Sequence, residues 1–149
     1  MKHFTRRQAL SMGGCAIAAA AIGIRPAFAA NNQQELIDKF TGGKPAKEDR
    51  VTLDLPQIAE NGNTVPISLS VESPMTKKDY VKRVLVVADG NPRADVATFN
   101  FSSSSGVAEA STRMRLSKTQ NVTAIAEMSN GSFYMAKRLV KVTIGGCGG

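Results

Sequence analysis

Hydrophobic and polar residues alternate along most of the chain after residue 50, as they do in β-strands with one buried face. The clearest case is residues 65–71, where Val65, Ile67, Leu69 and Val71 alternate with shorter or polar residues. Residues 84–88 form an unbroken apolar run, which predicts a central strand that is covered on both faces. The whole pattern predicts about seven strands, at residues 51–55, 65–71, 80–88, 97–101, 107–116, 122–128 and 133–144.

Turn-forming residues separate these segments. Asn61-Gly62-Asn63 lies between the first two strands, Asp89-Gly90-Asn91-Pro92 follows the third, and Asn130-Gly131 precedes the last. Asn, Asp, Gly and Pro favour the backbone conformations of tight turns. Several short strands joined by such turns predict an all-β fold, an antiparallel β-sandwich of the immunoglobulin-like type.

A short helix is predicted before the first strand. Asn31 or Asn32 can cap its first turn, and Gly42-Gly43 can end it. Its apolar residues fall on one side: Leu36, Ile37 and Phe40. The length from residue 30 to residue 144 suits a single domain with its own core.

Residues 1–29 have the pattern of an export signal. Arg6 and Arg7 with Leu10 precede an uncharged stretch at residues 11–24, and Ala27 and Ala29 form a small-x-small cleavage site. The arginine pair is typical of the twin-arginine pathway, so we expect a periplasmic protein cleaved after Ala29. The apolar stretch is about fourteen residues long, against the roughly twenty that a membrane-spanning helix needs.

The charge of the mature chain is modest. Removing residues 1–29 takes away four of the nineteen basic residues and none of the twelve acids, so the net charge falls from +7 to about +3. The basic character of the full chain therefore comes mainly from the signal. We predict no nucleic-acid partner and no membrane attachment.

The mature chain lacks the side chains of several common active sites. The single histidine, His3, and one of the two cysteines, Cys15, lie in the signal. A Ser-His-Asp or Cys-His system needs an imidazole, and a structural zinc site needs several Cys or His ligands. We therefore predict no catalytic residue, no metal site and no intramolecular disulfide.

The remaining cysteine, Cys147, lies between two glycine pairs in the C-terminal sequence Gly145-Gly146-Cys147-Gly148-Gly149. Glycine adopts backbone conformations that are sterically forbidden to other residues, so residues 145–149 are predicted to form a flexible arm. An extended chain at ~3.3–3.6 Å per residue would carry the sulfur roughly 7–10 Å beyond Gly145. Such an arm could present the thiol to a cleft on another protein.

The methionines leave a second class of function open. Four of them could supply soft ligands for copper(I) in an exported protein: Met75, Met114, Met128 and Met135. Methionine also fills irregular gaps in hydrophobic cores. An exported copper-binding sandwich and a purely structural interaction module are the alternatives to a reactive-thiol function.

Five short segments carry a resemblance to a known family. They are residues 62–67 (GNTVPI), 72–75 (ESPM), 91–92 (NP), 111–116 (STRMRL) and 142–149 (VTIGGCGG). With the twin-arginine signal, they make the chain similar to the SoxY family of sulfur-oxidation carrier proteins. The resemblance spans nearly all of the mature chain.

The resemblance implies a function for Cys147 as the covalent attachment site of sulfur intermediates. It implies that a c-type cytochrome couples thiosulfate to this sulfur and that a hydrolase then releases sulfate and leaves a persulfide. A sulfane dehydrogenase is a further implied partner, and a SoxZ-like subunit would complete a heterodimer. The chain itself would be a non-catalytic carrier, with no cofactor other than the sulfur adducts on Cys147.

Overall fold

The computed structural model describes residues 31–147, which form one helix and nine strands. The helix α1 and the strands have these bounds: α1 Gln33–Thr41, β1 Ala46–Lys47, β2 Val51–Asp54, β3 Ile58–Asn61, β4 Val65–Val71, β5 Val81–Ala88, β6 Asp95–Asn100, β7 Ala108–Met114, β8 Gln120–Met128 and β9 Phe133–Ile144. No helix among these residues is long and apolar enough to span a membrane. The predicted signal residues Arg6, Arg7, Leu10, Ala27 and Ala29 lie outside the described part of the chain.

The strands form two sheets. The larger has the order β1-β9-β8-β5-β6, with β3 also paired to β9, and the smaller has the order β2-β4-β7. Neighbouring strands are antiparallel except for β1 and β3, which run parallel to β9 beside its first and last residues. The register of β3 places Asn61 beside Ile144, so the turn after β3 lies next to the end of β9.

The core lies between the two sheets and follows the alternation of the sequence. In β4 the residues of one face are buried, and in β5 all of residues 84–88 are buried. Full burial of one such aliphatic side chain stabilises the fold by about 1.5–3 kcal/mol. The core residues contributed by β4, β5 and β8 include Val65, Ile67, Leu69, Val71, Val84, Val86, Ala88, Val122, Ala124 and Ala126.

Helix α1 lies against the outer face of the larger sheet. The ring of Phe40 meets that of Phe133 edge-on with centroids 6.0 Å apart, and the Arg83 guanidinium lies 4.5 Å above the Phe40 ring. The helix ends at Gly42, whose φ of 64° is the left-handed conformation that glycine adopts readily.

Burial of β5 on both faces confirms its predicted central position.

The predicted fold class is confirmed, but the strand count was two too low. The seven predicted strands correspond to β2 and β4–β9, whereas β1 and β3 were not expected. β1 has only two residues, and β3 carries polar Glu60 and Asn61, so neither has an apolar period to detect. Both are stabilised by parallel pairing with the long strand β9, so the sandwich is not wholly antiparallel.

Candidate functional site

Three separate parts of the chain meet where β9 ends. Gly62 N–H donates to the Ile144 carbonyl at 2.7 Å, Leu116 N–H to the Gly62 carbonyl at 2.8 Å, and Gly146 N–H to the Leu116 carbonyl at 2.8 Å. Each segment thus donates to one of the other two and accepts from the remaining one. We call this ring of backbone hydrogen bonds among Gly62, Leu116 and residues 144–146 the junction.

The junction requires glycine at three positions, because the backbone segments that meet there are too close together to leave room for a side chain. A Cβ atom on Gly62 would lie 2.1 Å from the Leu116 carbonyl oxygen, and one on Gly145 would lie 2.1 Å from that of Ser117. A Cβ on Gly146 would lie 2.6 Å from the Gly62 oxygen. Contacts below 3.0 Å to backbone atoms cannot be relieved by rotating a side chain, so only glycine fits these positions.

The structure changes the predicted extent of the flexible arm. Gly145 and Gly146 do not leave the domain: Gly146 is buried, and its N–H is bonded inside the junction. The lack of a Cβ atom in these two glycines had suggested a flexible backbone. In the structure it instead allows other backbone segments to pack directly against both residues. Gly148 and Gly149, the other two predicted arm residues, lie outside the described residues.

Cys147 follows directly after the junction and is exposed. Its backbone N–H donates to Oδ1 of Asn63 at 3.1 Å. Asn63 is held in turn, because its own N–H donates to Oδ1 of Asn61 at 2.9 Å. The side-chain group described as hydrogen-bonded to Cys147 is thus a carboxamide, which is not a general base.

The side-chain amides of two buried residues, Asn91 and Gln120, hold the loop at residues 115–117 in place. Asn91 is only 4% exposed; its Nδ2 donates to the Arg115 carbonyl at 2.9 Å, and its Oδ1 accepts from Ser117 N–H at 3.0 Å. Gln120 Nε2 donates to the same Oδ1 at 2.8 Å, and Gln120 Oε1 accepts from Gly90 N–H at 2.8 Å. These bonds satisfy buried polar groups and place Leu116 where it closes the junction.

Sequence reasoning missed these two supporting roles. Asn63 and Asn91 were interpreted only as turn residues, because asparagine is common in turns. Their partners lie 84 and 24 to 29 positions away, beyond any local pattern. The one available signal was that both residues fall inside segments that carry the family resemblance.

The described residues give the copper alternative no support. Met75, Met114 and Met128 are buried in the hydrophobic core, as expected for gap-filling side chains. Met135 is partly buried on β9. Within residues 31–147, no group of three or more His, Cys, Asp or Glu side chains is arranged to hold a metal ion.

A buried carboxylate lies at the other end of β9, where Glu127 pairs with Phe133 in the β8–β9 register. Burial raises the pKa of Glu127, but hydrogen bonds and charge from Arg83 and Lys82 outweigh it and hold the pKa below its ordinary value. The Lys82 Nζ atom lies 3.0 Å from Oε1. This cluster joins β5 to β8 far from Cys147 and is structural.

Comparison with known proteins shows which family the chain resembles. A family model described as "Sulfur oxidation protein SoxY" matches residues 37–147. The sulfur carrier protein SoxY from Chlorobium limicola f thiosulfatophilum is 30% identical, with a TM-score of 0.63, over 74% of this chain and 96% of that one. No curated protein sequence matches the chain.

More distant structures share only the fold. The superoxide reductase (neelaredoxin) from Ignicoccus hospitalis is 13% identical with a TM-score of 0.58, over 63% of this chain and 80% of that one. The superoxide reductase from Nanoarchaeum equitans is 11% identical with a TM-score of 0.55, over 64% and 100%. The family match reaches to Cys147 and includes all three segments of the junction, so the chain belongs to the SoxY family of sulfur oxidation proteins.

Proposed function

We propose that this chain carries sulfur intermediates covalently on Cys147 during periplasmic thiosulfate oxidation. The single observation that carries the proposal is the placement of Cys147, exposed and directly beyond a junction that fixes the chain up to Gly146. Membership of a sulfur-oxidation family and 30% identity to a sulfur carrier protein support it.

The proposed chemistry begins with the Cys147 thiol and thiosulfate. Oxidative coupling forms a bond between the cysteine sulfur and the sulfane sulfur, releases the thiol proton and passes an electron pair to a c-type cytochrome. The product is a cysteine S-thiosulfonate. A hydrolase then adds water, breaks the bond between sulfane sulfur and sulfonate, and releases sulfate and protons, which leaves a persulfide on Cys147. A sulfane dehydrogenase would oxidise the remaining sulfur.

The surroundings of Cys147 support a carrier that depends on other proteins' active sites. A catalytic cysteine is activated by a neighbouring base, a cation or a helix N-terminus. The hydrogen-bonding partner that the structure describes for Cys147 is the Asn63 carboxamide, which accepts from its backbone N–H. We propose that the chain is non-catalytic and that each partner supplies the base, the redox centre or the metal for its own step.

Exposed apolar residues support a protein partner. Ile58 is 60% exposed and Leu139 is 54% exposed. Ile58 pairs with Lys141, which lies two residues from Leu139, so the two apolar side chains share one face of the β3–β9 pair. We propose that this face contributes to a heterodimer with a SoxZ-like subunit. Periplasmic location through the twin-arginine signal at Arg6 and Arg7 belongs to the same proposal.

The test is Cys147→Ser in a reconstituted thiosulfate-oxidising system. We expect loss of thiosulfate-dependent cytochrome reduction with unchanged thermal unfolding, because Cys147 is exposed. Thr143→Ser, an equally small change at an exposed position of β9, is the matched control and should retain full activity. Full activity of Cys147→Ser would refute the proposal.

A further inference from the structure

Two contacts of different strength hold the end of the described chain. Gly146 is buried, its N–H is bonded within the backbone ring of the junction, and its surroundings leave no room for a side chain. Cys147, one residue later, is exposed, and its N–H is bonded to a single side chain, that of Asn63. The firmly held part of the tail therefore ends at Gly146.

We propose that Asn63 is a positioning residue for the sulfur-bearing cysteine, a releasable latch that holds the Cys147 backbone against the turn at residues 61–63. The inference rests on the proposed carrier function. A partner that draws Cys147 into its active site breaks the exposed Asn63 bond and leaves the junction intact. The movable part of the chain then begins at Cys147, two residues later than Gly145, where the glycine pattern predicted that the arm begins.

The chemistry of asparagine suits a latch of this kind. Its carboxamide oxygen accepts the Cys147 N–H without adding a charge. Sulfur adducts such as a thiosulfonate are anionic, and a carboxylate at this position would repel them. The bond from Asn63 N–H to Asn61 Oδ1 constrains the backbone of the turn from which the Asn63 side chain reaches Cys147.

The position at which the movable part begins also limits how partners approach. Because residues 144–146 are held in the junction, a partner that reaches Cys147 must come close to the turn at residues 61–63 and the loop at residues 115–117. These two segments are therefore part of the surface that successive partners touch.

The test is amide hydrogen exchange, read by NMR on the reduced mature full-length chain without thiosulfate or partner enzymes. Asn63→Ala removes the acceptor, and we expect exchange at the Cys147 amide to accelerate about fivefold, the ratio for one exposed hydrogen bond. Asn63→Asp keeps an acceptor oxygen and should restore slow exchange. Asn130→Ala is the matched control, because Asn130 Oδ1 also accepts an exposed hydrogen bond from a backbone N–H, that of Ser132, but at the far end of β9.

Two results would overturn the proposal. Unchanged exchange at Cys147 in Asn63→Ala would show that the side chain does not hold the cysteine. Equal acceleration at Gly146 and Cys147 would show that the whole junction opens, so that Asn63 is an ordinary structural residue. Because these readings involve no sulfur chemistry, they are independent of the activity of Cys147→Ser, which tests the carrier function.

Discussion

Oδ1 of Asn63 accepts a hydrogen bond from the backbone N–H of Cys147 at 3.1 Å, across 84 positions of the sequence. The contact follows from the parallel pairing of β3 with β9, which sets Asn61 beside Ile144. The same register brings Gly62 within hydrogen-bonding distance of the Ile144 carbonyl. A short strand with no apolar alternation thus determines where Cys147 lies.

Gly62→Ala should break the junction. The added Cβ would lie 2.1 Å from the Leu116 carbonyl oxygen and 2.7 Å from the Gly146 nitrogen, both backbone atoms. We expect a loss of about 3 kcal/mol in the free energy of unfolding, measured by urea denaturation, because overpacking against backbone relaxes poorly. Amide exchange at Gly146 should also accelerate.

Gly106→Ala is the control for this variant. Gly106 has a φ of 74° but open space around its Cα atom, so the substitution adds backbone strain without a clash. We expect a smaller loss, about 1–2 kcal/mol, and no change at Gly146. If Gly62→Ala proved no more destabilising than Gly106→Ala, the close packing of the junction would not hold in solution.

Asn91→Ala should destabilise the fold through the loop at residues 115–117. The substitution leaves the partly buried Arg115 carbonyl and Ser117 N–H without their partner, and we expect a cost of about 1 kcal/mol, the low end of the range for unsatisfied polar groups. Chemical denaturation measures the loss, and Asn100→Ala at an exposed position provides the comparison. Equal stability of the two variants would contradict the supporting role of Asn91.

Glu127 should make stability depend on pH. Its pKa in the folded state lies below the ordinary value of a glutamate, so its contribution to stability is present above that ordinary value and is lost as the pH falls through the lowered folded-state pKa. Glu127→Gln should cost about 1 kcal/mol at neutral pH, because its partners Lys82 and Arg83 are nearly half exposed. The difference from the wild type should shrink in strong acid.

The exposed pair of Arg93 and Asp95 is the control for the pH experiment. Their side chains are 74% and 44% exposed, so Asp95→Asn should change the unfolding free energy little at any pH. Urea denaturation over a pH series measures both variants. A cost for Glu127→Gln that stays constant down to strong acid would contradict the lowered pKa.

Local sequence pattern was enough to predict the sandwich, the central position of β5 and the end of α1 at Gly42. Each of these three features depends on the periodicity of apolar residues or on the conformational preference of one residue. The local pattern was not enough to predict β3, because its Ile58 is exposed and its partner strand lies at the far end of the chain. β3 is placed by its pairing with β9, which leaves no apolar periodicity in β3 itself.

The glycines near Cys147 show the same limit in the candidate site. The sequence indicates that Gly145 and Gly146 lack side chains, which fits a flexible arm and a tightly packed backbone equally well. The choice depends on Gly62 and Ser117, which approach them only in the folded chain. Cys147 was predicted as the attachment site partly because it is the one cysteine outside the predicted signal.

The most direct test of the carrier account is the intact mass of the protein isolated from thiosulfate-fed cells, before and after reductant. The account predicts added masses of thiosulfonate and persulfide sulfur that reductant removes, that map to Cys147 by fragmentation and that are missing from Cys147→Ser. A protein that carries no removable sulfur under these conditions, or that carries it equally in Cys147→Ser, would contradict the account.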